Sequence, residues 1–225
     1  MPSSTETLLA LGANVIACTR FCEQPELNHV GGTKNPDVDA IVALMPDLVV
    51  LDREENRVED HDALMAAGIE VFVSDVTDVE AGLTVVDDLA ALARVDAPLL
   101  TPPGASAAGR RSAFVPIWRR PWMTISADTY GASVLSWIGL DVVDVGGDSA
   151  YPTVELDEIA AVRPDVIAVP SEPYEFSSDH VRELQLACPT SSVVEVDGQD
   201  LFWWGMRTPD ALTRLAAALA PPTML

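Results

Sequence analysis

The sequence predicts an α/β fold of two lobes, each with a mostly parallel sheet flanked by helices, with a shortened helical connector. Three observations predict it. The first is a phrase written twice: "VGGTKNPDVDAIVALMPDLVV" from Val30 and "VGGDSAYPTVELDEIAAVRPDVIAV" from Val145. Each copy opens on Gly-Gly, where glycine accepts backbone angles that a Cβ forbids. A short amphipathic segment follows, with Val38, Ile41, Val42 and Met45 in one copy and Leu156, Ile159 and Ala160 in the other at helical spacing. Proline then stops the helix, and "DLVVLD" or "DVIAVP" reads as a strand buried on both faces. Two copies so far apart suggest two similar lobes; a solenoid needs adjacent repeats. The second observation is that short β-branched runs alternate with helical patterns along the chain, as in parallel sheets covered by helices. The third is "DAPLLTPPGASAAGRRS", rich in Pro, Gly, Ala and Ser, which reads as a linker. The expected organisation is an N-terminal lobe with a connector helix over residues 1–95, a Pro/Gly-rich linker over 96–112 and a C-terminal lobe over 113–225.

Element by element, "SSTETLLALG" reads as a helix capped by Ser3 or Ser4 and closed by Gly12, and "NVIACT" as a strand. "RFCEQPELNHVGGTKN" is a polar loop leading into the first repeat. Helix "DHDALMAAG" and strand "IEVFVSD" follow. A longer helix is capped by Thr77 or Asp78 and carries Val79, Leu83, Val86, Leu89 and Ala90 on one face. Beyond the linker, "AFVPIW" reads as a strand, "RRPWM" as a turn, and "TYGASVLSWIGL" as a helix with Trp137 in the core. After the second repeat come helix "SSDHVRELQLA", strand "SVVEVDG", loop "DGQDLFWWGMR" and terminal helix "PDALTRLAAALA".

Composition narrows the function. With 225 residues, 48% hydrophobic, each lobe can hold its own core. A net charge of −22 repels phosphate backbones and anionic membranes, which argues against nucleic acid or lipid surfaces as partners. The acids are scattered and read as a solvated surface. Three cysteines, Cys18, Cys22 and Cys188, make no disulfide framework; Cys18 and Cys22 read as small hydrophobes rather than a metal pair. "MPSSTETLLALGANVIA" has no signal-peptide pattern, and no apolar run approaches the roughly 20 residues that span a bilayer. The expectation is a monomer without membrane insertion, cytoplasmic as written and extracytoplasmic if the true start lies upstream.

No catalytic constellation stands out: there is no P-loop, nucleophile elbow, metal-binding His-Glu-x-x-His or dinucleotide fingerprint. His61 and His180 read as exposed structural histidines, and His29 as a loop residue. No catalytic residue and no metal ligand is assigned. The tryptophans say more. Trp118 and Trp122 bracket a turn, and Trp203-Trp204 sit in a loop after a strand. Loops at the carboxyl ends of parallel strands form ligand crevices, and aromatic walls with a few polar groups suit a small-molecule pocket.

At these residues a family resemblance becomes specific. "PSSTETLLALG", "TRFCEQP", "VGGTKNPDVDAIVALMPDLVV", "REENRVED", "IWRRPWM", "TYGASVLSWIGL", "SEPYEF" and "LFWWGMR" resemble, in order, the class III solute-binding proteins of ABC importers. The branch is the cobalamin-binding type, also called helical backbone metal receptors. The resemblance implies non-catalytic binding of a cobalamin-like corrinoid, haem or metal–siderophore complex between two lobes, as a transported ligand and not a cofactor. It implies ligand contacts from Phe21, Gly32, Thr33, Lys34, Asn35, Glu55 and Asn56 on the first lobe. On the second it implies Trp118, Trp122, Tyr151, Glu172, Tyr174, Phe176, Trp204 and Arg207. Aromatic faces would cover the flat ring, and Lys34, Asn35, Asn56 and Arg207 would meet its polar arms. Trp122 and Trp204 are expected to line the pocket, so that Ala at either weakens binding by roughly 1–3 kcal/mol and stability by less.

The chain departs from the family pattern in ways that carry their own expectations. Many relatives have histidine where Gln24 stands, so an axial ligand from that position is not offered. The family also has a strand before the segment matching "PSSTETL"; either the start lies upstream or the first lobe lacks a central strand. A long helix joins the lobes in the family, whereas Pro102, Pro103, Gly104 and Gly109 break one here. Docking to an ABC permease uses an acid on each lobe; Glu59 is near one expected position, while Met206 occupies the other with Asp210 beside it, so weak or absent docking is expected. The alternative function is an intracellular enzyme or metal-handling protein that reuses the fold.

Overall fold

The computed structural model describes residues 1–106 and 109–221; positions 107 and 108 of the expected linker lie outside them. The chain divides into two compact units. The first comprises residues 1–76, 80–100 and 204–206, and the second residues 77–79, 101–203 and the chain from Arg207.

The first unit begins with α1 (Pro2–Ala10), β1 (Ala17–Cys18), β2 (Asn28–His29), α2 (Val38–Ala43) and β3 (Leu48–Asp52). It continues with α3 (Val58–Ala66), β4 (Glu70–Ser74) and most of α4 (Val79–Ala93). Its strands pair in two parallel couples: β1 with β2, and β3 with β4 in register from Leu48 opposite Glu70 to Asp52 opposite Ser74. Ile41, Leu51, Leu64 and Ile69 form its core beside the β3–β4 pair. Each such side chain withdrawn from water contributes about 1.5–3 kcal/mol. The helix expected to be capped by Ser3 or Ser4 begins earlier. Proline is favoured at the first turn of a helix, so α1 starts at Pro2 and buries both serines within it.

The second unit contains β5 (Arg111–Phe114), β6 (Pro116–Trp118), β7 (Trp122–Thr124), α5 (Tyr130–Trp137), β8 (Leu140–Val142) and β9 (Thr153–Val154). Then come α6 (Leu156–Val162), β10 (Val166–Pro170), α7 (Ser178–Ala187), β11 (Ser192–Val196), α8 (Gly198–Phe202) and α9 (Thr208–Ala218). Four strands form a parallel sheet in the order β11-β10-β5-β8, while β6, β7 and β9 form a small antiparallel sheet. The run "AFVPIW" is thus two strands in two sheets. Proline has no N–H for a central ladder, and the chain changes sheets at Pro116. Phe114, Ile159, Ile167 and Leu184 are wholly buried in the core.

Two further expectations are corrected. The loop holding Trp203 begins with a short helix, α8, because the Asp197 carboxylate accepts from the Gln199 N–H at 2.8 Å and caps it. Trp137 is only half-buried, and its indole N–H donates to the Pro103 carbonyl at 2.7 Å. Between Ala93 and Arg111 the described residues form no helix or strand. No described helix is long and apolar enough to cross a membrane.

Candidate functional site

In each unit several candidate residues lie on loops that leave the carboxyl ends of parallel strands, where open α/β sheets bind ligands: Gly32–Asn35 after β2, Glu55 and Asn56 after β3, and Glu172, Tyr174 and Phe176 after β10. In the first unit, loop 31–36 meets the turn after β3. Gly31 has φ of 90°, and a Cβ there would lie 2.7 Å from the Asn35 carbonyl oxygen, so only glycine permits this tight loop. The Thr33 hydroxyl donates to Glu55 Oε2 at 3.1 Å, and Asn56 Nδ2 donates to the Thr33 carbonyl at 2.8 Å. Asn56 Oδ1 in turn accepts from the Asp52 N–H at 2.8 Å. Lys34 Nζ donates to the Glu54 carbonyl. Gly32 leaves room for Phe21, whose ring is 51% exposed under the Arg20 guanidinium at 4.9 Å. Phe21, Gly32, Thr33, Lys34, Asn35, Glu55 and Asn56 are therefore brought into one region.

Three groups beside this region have shifted pKa values. Burial raises the Asp52 carboxyl above its usual range, against the Ser74 hydroxyl that donates to it at 2.7 Å. Burial and the neighbouring Cys22 push the Cys18 thiol up to about 11. Cys22 is lowered: burial opposes ionisation, but the N-terminal ammonium and the Thr19 and Thr5 hydroxyls outweigh it. Its sulfur lies 3.1 Å from Thr19 Oγ1 and 3.4 Å from Thr5 Oγ1. Both thiols are free and buried, as small core groups.

The second unit supplies an aromatic cluster. The β6–β7 hairpin carries Trp118 and Trp122; the loop after β10 carries Glu172, Tyr174 and Phe176. Trp118 meets Tyr174 edge-on at 5.1 Å, Tyr174 meets Phe176 at 4.8 Å, and Phe176 stacks on Trp122 at 5.8 Å with 8° between planes. His180 joins this cluster, 5.9 Å from Tyr174, 6.1 Å from Phe176 and 6.5 Å from Trp122. Its Nδ1 accepts from the Ser177 N–H at 3.1 Å. His180 is structural, as expected, since it closes the capping box of α7, but it is half-buried rather than exposed. Arg119 lies over Trp122 at 4.7 Å and pairs with Glu183 at 2.8 Å. Neither Arg119 nor His180 was singled out as a site residue, because their neighbours are remote in sequence; the three-residue spacing of Ser177 and His180 was the one local sign.

The tryptophans divide differently from expectation. Trp118 is 45% exposed, but Trp122 is 5% exposed and sits in the core with Phe114 and Ile159. Trp204 is 3% exposed and belongs to the first unit, where the Met206 N–H donates to Thr7 Oγ1 at 3.3 Å. Trp122 and Trp204 thus offer no open ring face as expected of pocket walls. Their neighbours take the exposed places: hydrophobic burial claims one tryptophan of each pair. Trp203 is half-buried, donating its indole N–H to Glu172 Oε1 at 2.6 Å beneath Arg207 at 5.1 Å. Arg207 reaches Asp200 at 3.4 Å. Tyr151 stands exposed just before β9, whose Val154 pairs with Trp122.

A cavity of about 360 Å³ opens beside the cluster, walled by Pro170, Ser171, Glu175, Phe176 and Glu195. A larger one of about 500 Å³ lies elsewhere in this unit, walled by Asp78, Asp128, Ser133, Ser136 and Asp141. It has no aromatic wall, and Asp141 is already paired with Arg110. The smaller cavity suits an apolar ring better. Among the described residues no group of three or more His, Cys, Asp or Glu side chains is arranged to hold a metal ion.

No family model matches the chain. Its sequence is 28% identical over 187 residues to the vitamin B12-binding protein of Yersinia pestis, covering 75% of this chain and 66% of the relative. The match therefore spans a little under two thirds of the relative's length. The periplasmic vitamin B12 binding protein BtuF of Vibrio cholerae superposes with a TM-score of 0.75 at 18% identity, covering 97% of this chain and 94% of that one. A periplasmic heme binding protein from Pseudomonas aeruginosa gives 0.74 at 18% identity, covering 98% and 91%. These similar proteins are binding proteins rather than enzymes. The chain is thus a homologue of vitamin B12-binding proteins and has the two-lobed α/β fold of periplasmic binding proteins, as the resemblance of its sequence implied.

Proposed function

We propose that the chain is a substrate-binding protein for a corrinoid, which it holds without chemical change and passes to an ABC-type importer. The observation that carries this is the aromatic cluster of Trp118, Tyr174 and Phe176 beside a cavity, in a homologue of vitamin B12-binding proteins. A corrin ring is a wide apolar plate with neutral amide arms. Aromatic faces cover such a plate, and Asn35, Glu175 and the loop carbonyls complement amides. Haem is the second candidate, since a heme binding protein shares the fold. Its two carboxylates would approach a chain of net charge −22, whose site arginines, Arg119 and Arg207, are already paired with Glu183 and Asp200. That repulsion favours the neutral-armed corrinoid. A protein in this role works outside the cytoplasmic membrane, which fractionation of cells making it from its own gene would check. Weak importer docking is expected: Glu59 is exposed, but the other position holds the half-buried Met206.

Titration of the purified chain with cyanocobalamin, and separately with hemin, tests the ligand. Quenching of tryptophan fluorescence and a shifted visible spectrum at micromolar cobalamin, with weaker response to hemin, is the expected result. Saturable hemin binding without cobalamin binding would replace the corrinoid by haem, and turnover of either ligand would overturn the non-catalytic role.

A further inference from the structure

The loop between β1 and β2 holds a pair of thiols that the candidate ligand site does not use. Strand β1 ends at Cys18, and the chain then closes a tight turn in which the Cys22 N–H donates to the Thr19 carbonyl at 3.1 Å. The turn is pinned on both sides. The Val30 N–H donates to the Cys18 carbonyl and the Arg20 N–H to the Gly31 carbonyl, each at 3.0 Å. Cys22 is thereby folded back onto the end of β1, and its thiol lies in hydrogen-bonding contact with that of Cys18.

Three features fit this pair to form a bond with each other. The sulfurs are enclosed, Cys18 at 6% and Cys22 at 3% exposure, yet the chain neighbours of Cys22, Phe21 and Glu23, are exposed. The turn is therefore a surface segment, and a local opening of a few residues uncovers the Cys22 sulfur. Next, Thr19 Oγ1 and Thr5 Oγ1 lie 3.1 and 3.4 Å from that sulfur. Hydroxyls so placed donate to a thiolate, which is the attacking form of a cysteine. Finally, among the described residues no third His, Cys, Asp or Glu side chain joins the pair to hold a metal ion, which leaves oxidation as its chemistry. Cys188 has no such neighbour: it is buried among the apolar side chains of the second unit's core.

We propose that Cys18 and Cys22 form an intramolecular disulfide by exchange with a disulfide oxidant, closing a short ring that contains Thr19, Arg20 and Phe21. The Cys22 thiolate attacks one sulfur of the oxidant, releases one thiol and leaves a mixed disulfide. The Cys18 thiolate then attacks the Cys22 sulfur and expels the second thiol. The protein gives up two protons and two electrons, and the oxidant is reduced to two thiols. Disulfide oxidants are supplied outside the cytoplasmic membrane, where the proposed function has the chain work; in a reducing compartment the pair stays a dithiol. The bond itself stands whichever ligand the chain takes. It also restrains the backbone of Phe21, whose ring packs over Gly32, 3.3 Å from where a Cβ of that glycine would lie.

The test incubates the reduced, folded chain with oxidised glutathione and then alkylates the remaining thiols. Of the three cysteines, only Cys188 should still be a thiol when the chain is unfolded for counting. Trypsin cuts after Arg20, between the two cysteines, and finds no other Lys or Arg before Lys34. A digest without reductant should therefore keep segments 1–20 and 21–34 joined, and reductant should separate them. Closing so short a ring should raise the thermal midpoint by about 4–8 °C. Three thiols surviving the incubation would overturn the proposal, as would glutathione left on Cys22 or a bond that reaches Cys188. A bond that forms only in unfolding urea, or that lowers the midpoint, would show that the fold does not preset the pair and would overturn it equally.

Discussion

Replacing Trp118 and Trp122 one at a time by alanine separates a ligand face from a core residue. Both belong to the same hairpin, yet Trp118 is 45% exposed and Trp122 5%. A tryptophan side chain presents up to about 250 Å², so Trp118 leaves about 110 Å² for a ligand to cover. At about 25 cal/mol per Å² that surface is worth up to about 2.8 kcal/mol, or about 100-fold in affinity. Folding stability should lose only the edge contact with Tyr174, about 0.5–1.5 kcal/mol, which lowers the midpoint by a few degrees at most. Trp122→Ala opens a cavity beside Phe114 and Phe176 and should cost about 3–5 kcal/mol, with a midpoint lower by roughly 10 °C. Thermal melts and cobalamin titrations by fluorescence on both variants supply the comparison. A folded Trp118→Ala protein that keeps its affinity within about threefold would refute the assignment of the ligand face to this cluster.

The shifted carboxylates make opposite predictions. Asp52 has a folded pKa above its ordinary 3.8, so the native state holds the proton more tightly and ionisation of Asp52 costs stability. Stability should therefore fall as pH rises through the Asp52 titration. Asp52→Asn keeps acceptors for Ser74 and the Glu54 N–H, and urea unfolding between about pH 4 and 7 should become flatter without loss at pH 7. Asp165 is the reverse case: the Ser112 N–H and hydroxyl hold it below 3.8, so its contribution is present above that value and lost as pH falls further. Asp165→Asn should lower stability at pH 6 and reduce the difference between pH 6 and pH 3. An unchanged difference would mean that the Ser112 contact does not persist in solution.

The repeated grammar was legible because its signals are local. Gly31 does need φ of 90°, and "DLVVLD" and "DVIAVP" do form parallel strands. Helix α4 begins at Val79 with Val79, Val86, Leu89 and Ala90 buried as spaced, although Leu83 stays partly exposed. What was not legible depends on contacts between remote residues. Period-two alternation says that Trp118 and Trp122 can lie on different faces of a hairpin, but which face is buried is set by Phe114 and Ile159 from other elements. His180 resembles any polar helix residue until the loop after β10 brings Tyr174 and Phe176 beside it. The serines of α1 satisfy the rule for a cap, yet Pro2 moved the start of the helix past them.

The two repeats share a backbone plan but not a chemistry, and the difference bears on selectivity. The polar side chains of the first unit largely satisfy one another: Thr33 bonds to Glu55, Asn56 bridges Thr33 and Asp52, and Lys34 reaches the Glu54 carbonyl. A site rejects a wrong ligand strongly when that ligand leaves buried polar groups unpaired. Groups already paired with each other incur no such penalty. The aromatic cluster of the second unit is equally permissive, since a ring face accepts any apolar plate of suitable width. Discrimination then falls to charge. Among plates of similar size, those with neutral or cationic arms should bind with similar strength, and anionic arms should weaken binding more at low salt than at high, because screening shortens the reach of the protein's negative field. Titrating cobinamide, cobalamin and hemin at two ionic strengths would separate these contributions. A hemin affinity that falls with added salt would show that local cations, and not the net charge, govern the choice.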